Sequence, residues 1–304
     1  MMRILGTIFA GLLGLAFGSF LNVCLSRWPA GESVVAPRSH CRRCSHTLAW
    51  WENIPVLSWL LLQGRCRGCH TWIGWRYPVV ELCLSLLWAY SAWIFLSITL
   101  DPELPAHHLP IRDTYVALGA MVGSMILYWL LLALACLDTE FLWLPNWITL
   151  PGAALGFAWI SLAPVLQEFD PGYHPKITTA FQIETNAASE LIGIVLSAGL
   201  ILLIRWVYWL IRRREGIGLG DAKLMALLAA WLGLPQALLA FGFGVVLGAA
   251  FALVLLAVPA ARRESGPWAE KMVPLGTFLC MGGIVSSLWG QRIIAAYLSW
   301  SGLG

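Results

Sequence analysis

Long and almost wholly apolar stretches, separated by polar connections, dominate the pattern of this chain; the charged residues inside them are Glu81, Arg205 and Arg292. Seven of these stretches are long enough to cross a hydrocarbon core of ~30 Å; they are Ile4–Leu25, Val79–Leu100, Thr114–Leu137, Trp147–Leu166, Leu191–Ile211, Ala237–Ala261 and Val273 to the C-terminus. An eighth, Leu224–Leu234, offers only 11 apolar residues before Pro235. It spans only if it begins near Ile217 and packs among other helices. The pattern therefore predicts about eight transmembrane helices.

Composition supports a membrane protein and excludes several other classes. Of the 304 residues, 59% are hydrophobic and 12% are charged, and the mean hydropathy is +0.76. These values do not fit a soluble fold, a disordered chain or a collagen-like chain. The net charge of +3 is too small and too unevenly placed to indicate nucleic acid as a partner. We expect an all-α polytopic protein whose surroundings are membrane lipid.

The first apolar stretch has two readings. Arg3 precedes it, as in a signal peptide, but the stretch continues to Leu25 and no cleavage site of the A-x-A type follows. We therefore expect a retained transmembrane helix.

Basic residues predict the orientation of the helices. Seven Arg lie between Arg27 and Arg76, five basic residues between Arg205 and Lys223, and three between Arg262 and Lys271. The connections at 101–113 and 167–190 contain one basic residue each. By the positive-inside rule, the basic connections face the cytoplasm, and both termini lie outside.

Two cysteine pairs in the first cytoplasmic connection predict a metal site. The C-x-x-C pairs are separated by 21 residues, close to the spacing of a four-thiolate zinc site; the predicted ligands are Cys41, Cys44, Cys66 and Cys69. Disulfides or free thiols are the alternative, which a cytoplasmic location disfavours. Nearby histidines are less favoured as ligands, namely His40, His46 and His70. The remaining cysteines fit small buried apolar residues; they are Cys24, Cys83, Cys136 and Cys280.

These features divide the chain into three predicted segments. Residues 1–26 form the first helix, 27–78 a small cytoplasmic zinc-binding domain, and 79–304 a multi-helix membrane domain. Within the second segment, Leu48–Leu62 is rich in Trp and Leu but interrupted by Pro55. It lies along the bilayer surface or packs the cysteine region against the helices.

Two aspartates at span boundaries are candidate catalytic residues. Asp138 ends the third span, and Asp221 follows a glycine-rich turn at the start of the sixth. Two carboxyl groups that meet on one face can share a proton and activate water. The alternative is that each aspartate only caps a helix. Lys223, two residues after Asp221, points elsewhere on a helix and is not a catalytic candidate.

Several motifs together resemble the type IV prepilin peptidase family. In the first half of the chain they are GSFLNV at 18–23, PRS at 37–39, ENIP at 52–55, GRCR at 64–67 and RYPVVE at 76–81. In the second half they are Asp138 followed by LP at 144–145, GLGDAKL at 218–224 and PLGTFL at 274–279. The motifs occur in order and extend over nearly the whole chain.

The resemblance implies a bifunctional enzyme of the bacterial inner membrane, serving type IV pili or type II secretion. It would cut the basic leader from prepilins or pseudopilins after glycine, on the cytoplasmic side. It would then methylate the new N-terminal amine with S-adenosylmethionine. Asp138 and Asp221 match the family's catalytic aspartates, and the four cysteines match its metal-binding domain, which is associated with methylation.

The sequence leaves the site of the methyl donor open. No glycine-rich strand-turn-helix signature is present. Glu81, at the start of the second span, is either a proton acceptor in methyl transfer or an interfacial residue paired with Arg76.

Two positions depart from the family pattern. Asn146 replaces the usual aspartate after Leu144–Pro145, which leaves Asp138 and Asp221 as the catalytic pair. Thr277 replaces the usual proline after Gly276, from which we expect a modest backbone change without loss of activity.

Two other classes of protein remain as alternatives. One is an intramembrane aspartyl protease without methyl transfer, such as a preflagellin peptidase, which the cysteine pairs and the GSFLN motif disfavour. The other is a scaffold or transporter whose zinc domain binds a partner.

Overall fold

The computed structural model describes residues 1–100, 111–167, 187–214, 218–257 and 274–302. In these ranges the secondary structure is helical apart from two isolated β-bridges. The α-helices are α1 (Met2–Arg27), α2 (Leu57–Leu61), α3 (Arg76–Thr99), α4 (Ile111–Phe141), α5 (Asn146–Gln167), α6 (Ala187–Arg212), α7 (Leu219–Leu232), α8 (Leu234–Ala257) and α9 (Leu275–Ser301).

The predicted all-helical membrane architecture is confirmed. Six helices in the described ranges are long and apolar enough to cross a bilayer, namely α1, α3, α4, α6, α8 and α9. The fourth and sixth predicted spans are also helical, as α5 and α7, but they are not among these six. The count of eight spans stays a prediction. The orientation does too, because the connections at 101–113, 167–190 and 262–271 fall largely or wholly outside the described residues.

The chain forms two compact units, Met1–Ala133 and Leu134–Gly304. In the first unit, α1 packs against α3 through glycines on one face of α1. A Cβ on Gly14 would lie 2.7 Å from the Ser85 Cα, and one on Gly18 would lie 2.7 Å from the Glu81 Cα. Gly14 and Gly18 are thus a small-xxx-small pair that lets two backbones touch.

The segment between the cysteine pairs packs on its own aromatic residues. It contains a 3-10 turn at Trp50–Asn53 and the short helix α2. Trp59 of α2 lies 5.5 Å from Trp72 and 4.5 Å from Trp75, between ring centroids, and its indole N–H donates to the Ile73 carbonyl. These contacts support the packing role. The interfacial role, which is compatible with it, stays a prediction, since Leu57, Leu60 and Leu61 are exposed.

The second unit is built around α7. Ten of the fourteen residues of α7 are buried, and the helix contacts α5, α6, α8 and α9. Trp231 is fully buried and donates its indole N–H to the Gly152 carbonyl, and a Cβ on Gly156 would collide with its ring. A helix covered by four others needs no lipid-facing length, which explains why α7 is short.

The glycine contact between α1 and α3 predicts a position-specific loss of stability. We expect Gly14→Ala to lower the unfolding free energy by about 1–3 kcal/mol, because the added methyl group forces the two backbones apart. Thermal unfolding of the purified protein in detergent measures this loss. Gly119→Ala is the control, since a Cβ there has no atom within 4 Å among the described residues. Equal unfolding temperatures for both variants would contradict the packing.

Candidate functional site

The two cysteine pairs adopt the same turn geometry. The Cys41 N–H donates to the His46 carbonyl, and the Cys66 N–H donates to the Thr71 carbonyl, both at 2.9 Å. Each turn passes through a residue with a positive φ, which is 56° at Ser45 and 55° at His70. The repeated geometry directs both thiols of each pair toward the other pair.

The four predicted sulfur ligands come together as a group. All four sulfur atoms lie within 4.8 Å of one another, with Cys41 3.8 Å from Cys69 and Cys44 3.9 Å from Cys66. A tetrahedral zinc with Zn–S bonds of ~2.3 Å requires sulfur atoms about 3.8 Å apart. The sulfurs are unbonded to one another, so the disulfide alternative finds no support. Within the described residues the group contains no histidine, and its geometry fits one Zn²⁺ ion.

Hydrogen bonds favour the thiolate form of two of the four cysteines, whereas the neighbouring cysteines raise the pKa of Cys44. The Thr71 hydroxyl and backbone hydrogen bonds lower the pKa of Cys69 to about 6. A hydrogen bond from the Cys44 backbone lowers the pKa of Cys41. Zinc binds deprotonated thiols, so these donors prepare the site for the metal.

Glu52 connects the two turns and was quoted in the sequence only as part of a motif. Its buried carboxylate accepts the Ala49 N–H at 2.8 Å and contacts the His46 ring nitrogen at 3.2 Å. Arg67, from the second turn, lies 3.8 Å away. The Ala49 N–H, followed by His46 and Arg67, lowers the pKa of Glu52. The charged carboxylate therefore ties the first cysteine turn to the second.

A cavity of about 580 Å³ opens beside this group in the first unit. Its wall includes Asn22 of α1, Glu81 of α3 and the sulfur ligands Cys41 and Cys66. Glu81 accepts the Val56 N–H at 2.7 Å and is also hydrogen-bonded by Ser19 and Asn22. The carboxylate is buried, so it belongs to this polar pocket and is not a surface residue.

In the second unit, Asp138 binds the N-terminus of α9. Its carboxylate oxygen accepts the Thr277 N–H at 2.7 Å and the Thr277 hydroxyl at 3.2 Å, and the Gly276 N–H also donates to it. The first N–H groups of a helix lack partners and favour an anion. Asp138 therefore does cap a helix, as the alternative supposed. The helix is not a sequence neighbour, however, because α9 begins more than 130 residues after Asp138. The departure at Thr277 was visible in the sequence, but its contact with Asp138 was not.

Asp221 lies in the first turn of α7 and faces the same region. Its carboxyl group accepts the N–H of Gly218, the residue that precedes α7. Asp138 and Asp221 are both buried, and they lie close enough for their carboxylates to repel each other. The structure therefore brings together the two aspartates that the sequence singled out. Buried carboxyl groups that repel each other share a single negative charge most easily.

Leu144 fills the space left by two glycines of this site. A Cβ on Gly220 would lie 3.0 Å from Leu144, and a Cβ on Gly276 would lie 3.0 Å from Leu144 and 2.9 Å from the Asp138 carboxyl carbon. Gly220 and Gly276 thus give room to Leu144 and Asp138.

Lys223 turns toward α5. Its ammonium group donates to the Asn146 side-chain oxygen at 2.5 Å. Asn146, which departs from the family pattern, thus forms a hydrogen bond with Lys223 through its neutral amide.

Comparisons with known proteins agree with both parts of the chain. The model of the bacterial peptidase A24 N-terminal domain matches residues 12–95. The model of the type IV leader peptidase family matches residues 125–253. The first match contains the four cysteines, and the second contains both aspartates.

Curated relatives match over most of their length. The prepilin leader peptidase/N-methyltransferase of Stutzerimonas stutzeri is 31% identical over 96% of this chain and 93% of its own length. The protein of the same name from Pseudomonas aeruginosa is 32% identical over the same shares, and that from Aeromonas salmonicida is 30% identical over 95% and 92%. No solved structure matches the chain significantly.

The sulfur geometry predicts one bound zinc ion per chain. We expect the purified protein to contain about one Zn²⁺, and the double variant Cys41→Ser, Cys66→Ser to lose it, because one ligand is removed from each turn. Metal analysis by mass spectrometry measures the content. Cys83→Ser is the matched control, since Cys83 lies on α3 outside the group. If the double variant and the control carry equal zinc, the cysteines are not its ligands.

Proposed function

This chain belongs to the type IV leader peptidase family, and on that premise we propose that Asp138 and Asp221 are its catalytic pair. The chain is a prepilin leader peptidase and N-methyltransferase, which removes the leader peptide of a prepilin and methylates the new N-terminus. The observation that supports the catalytic assignment is the convergence of two buried aspartates on adjoining helix N-termini.

In the proposed mechanism, one aspartate acts as a general base and the other as an acid. The ionised carboxylate takes a proton from a water molecule, and the water oxygen attacks the carbonyl carbon of the scissile peptide bond. The protonated carboxyl group donates a hydrogen bond to the carbonyl oxygen and stabilises its developing charge. Collapse of the tetrahedral species breaks the C–N bond, and the leaving nitrogen receives the transferred proton.

We assign the negative charge to Asp138. Three donors point at its carboxylate, namely the Gly276 N–H, the Thr277 N–H and the Thr277 hydroxyl. Hydrogen bonds to the charged form of a carboxyl group favour that form. Asp221, which accepts the Gly218 N–H, then carries the shared proton.

The wider arrangement follows from the family and from the charge bias. We propose eight membrane spans in a bacterial inner membrane, with the active site on the cytoplasmic face and cleavage after glycine. Pseudopilins of type II secretion are the second substrate class. Residues 27–78 form a zinc-binding domain of the methylation half, and residues 79–304 carry the peptidase site. S-adenosylmethionine, when bound, supplies an electrophilic methyl group; the chain itself holds and deprotonates the amine.

Substitution of either aspartate tests the proposal. Reconstituted Asp138→Asn and Asp221→Asn variants should lose about 10²- to 10⁴-fold in leader cleavage, the range for loss of a general acid or base. Glu140→Gln is the matched control, because it neutralises an exposed acid two residues from Asp138 on the same helix. Mass spectrometry of the prepilin follows leader removal and N-terminal methylation separately.

The outcomes separate this enzyme from its alternatives. Cleavage by both asparagine variants at the control rate would remove the pair from the mechanism. A wild-type protein that neither cleaves nor methylates would favour the scaffold or transporter. A wild-type protein that cleaves without methylating would favour an aspartyl protease without methyl transfer, such as a preflagellin peptidase.

Thr277 is proposed as a positioning residue for Asp138. Thr277→Val keeps the N–H donor and the branched shape but removes the hydroxyl hydrogen bond. We expect kcat to fall on the order of tenfold with little change in KM, because Thr277 holds the base and not the substrate. Thr277→Ser restores the hydroxyl and should recover kcat. If the serine variant is as slow as the valine variant, the effect comes from packing.

A further inference from the structure

We propose that the cavity beside the cysteine cluster binds S-adenosylmethionine, and that Glu81 accepts the proton that the substrate amine loses during methyl transfer. This inference rests on the methyltransferase activity and names its site. Four observations support it: the size of the cavity, the buried oxygen of Asn22 that lacks a partner, the buried carboxylate of Glu81, and the aromatic side chains of the wall.

The cavity has the size of a small-molecule site. Its volume of about 580 Å³ lies within the range of roughly 300–1,000 Å³ typical of ligand pockets. Both polar and aromatic side chains line it, from α1, from α3 and from the segment between them. S-adenosylmethionine needs both kinds of side chain, because its adenine ring is flat and aromatic whereas its amino-acid end is charged.

Asn22 lines the cavity with a buried side-chain amide. The residue is only 1% exposed, and its side-chain nitrogen donates to the Tyr77 carbonyl at 3.0 Å. Its side-chain oxygen has no hydrogen-bond partner within the described structure. A buried amide oxygen without a partner costs free energy, so a donor from a ligand is the natural complement. Ammonium, hydroxyl and amino groups of the methyl donor are such donors.

Glu81 provides a buried carboxyl group at the same wall. The residue is 5% exposed, and uncharged donors fix its carboxylate, namely the Val56 N–H and the side chains of Ser19 and Asn22. These donors orient the carboxylate without adding positive charge. A cation, such as a sulfonium or an ammonium group, binds favourably to such a group.

Aromatic side chains complete the wall. Trp59, Trp72 and Tyr77 line the cavity, and Trp59 is held in place by its hydrogen bond to Ile73. Flat aromatic faces stack on a purine ring, and they also attract a cation such as a sulfonium. Both parts of the methyl donor therefore find a matching surface.

The proposed reaction balances with these residues. Glu81 accepts one proton from the new N-terminal ammonium, and the nitrogen lone pair then attacks the methyl carbon. The carbon–sulfur bond breaks, and the sulfur keeps the electron pair as a neutral thioether. The methylated nitrogen leaves as a secondary ammonium, and Glu81 passes its proton to solvent.

The cysteine cluster has a defined part in this site. Cys41 and Cys66, one from each turn, lie on the cavity wall. A zinc ion bound by the four cysteines would fix the backbone on this side of the pocket.

Donor binding by Glu81→Gln tests the assignment. The full-length variant in nanodiscs should bind S-adenosylmethionine at least about tenfold more weakly in equilibrium dialysis, because a charge-assisted contact is lost. It should fail to methylate a pre-cleaved pilin peptide, yet it should retain zinc and leader cleavage. Glu190→Gln is the matched control, since Glu190 on α6 is equally buried, at 6% exposure, and belongs to the second unit. Donor binding by Glu81→Gln equal to that of the control would overturn the proposal.

Photocrosslinking provides a second test that requires no variant. Ultraviolet irradiation of the wild-type protein with methyl-labelled S-adenosylmethionine should label peptides from residues 19–27, 52–59 or 71–81. Label confined to peptides after Leu134 would overturn the site while leaving the methyltransferase activity intact. Binding and labelling at this site without any methylation of pilin would instead refute the activity on which the inference rests.

Discussion

The hydrocarbon core of a bilayer offers no water to the backbone, and this constraint shapes the rest of the structure. Every N–H and C=O must pair within the chain, so the spanning segments are helices. Helices in lipid gain little from apolar burial, and close approach at small residues takes its place. Gly14 and Gly18 serve this purpose in the first unit, and Gly282 does so in the second, where it lies against the Ala240 carbonyl.

The same constraint decides where acids can be placed. A buried carboxylate is costly unless donors surround it, and the first turn of a helix supplies N–H groups without other partners. Asp138 uses the first turn of α9, and Asp221 lies in the first turn of α7. Both aspartates are buried, and Leu144 fills the space at Gly220 and Gly276. The N-terminal turns of α7 and α9 thus both stabilise the two aspartates and bring them close together.

In the first unit, four cysteines and a buried glutamate organise a segment that forms little regular structure. The four sulfur atoms come from two turns and lie within 4.8 Å of one another, an arrangement that fits one zinc ion. Glu52 then links the turns through His46 and Arg67. The cavity between these turns, α1 and α3 owes its shape to this arrangement and its polarity to Asn22 and Glu81. Each unit therefore contains one of the two proposed sites.

The sequence alone determined the helical membrane class, the cysteine ligands as a set and the candidate aspartates. These signals are local: apolar length sets a span, C-x-x-C spacing sets a turn, and each motif is contiguous. Only the tertiary structure decided that Thr277 and Gly276 hold Asp138, that α7 is the centre of its unit, and that Asn22 and Glu81 share one cavity. These features depend on contacts between residues far apart in the chain. Their partners are fixed by helix packing, which no local pattern encodes.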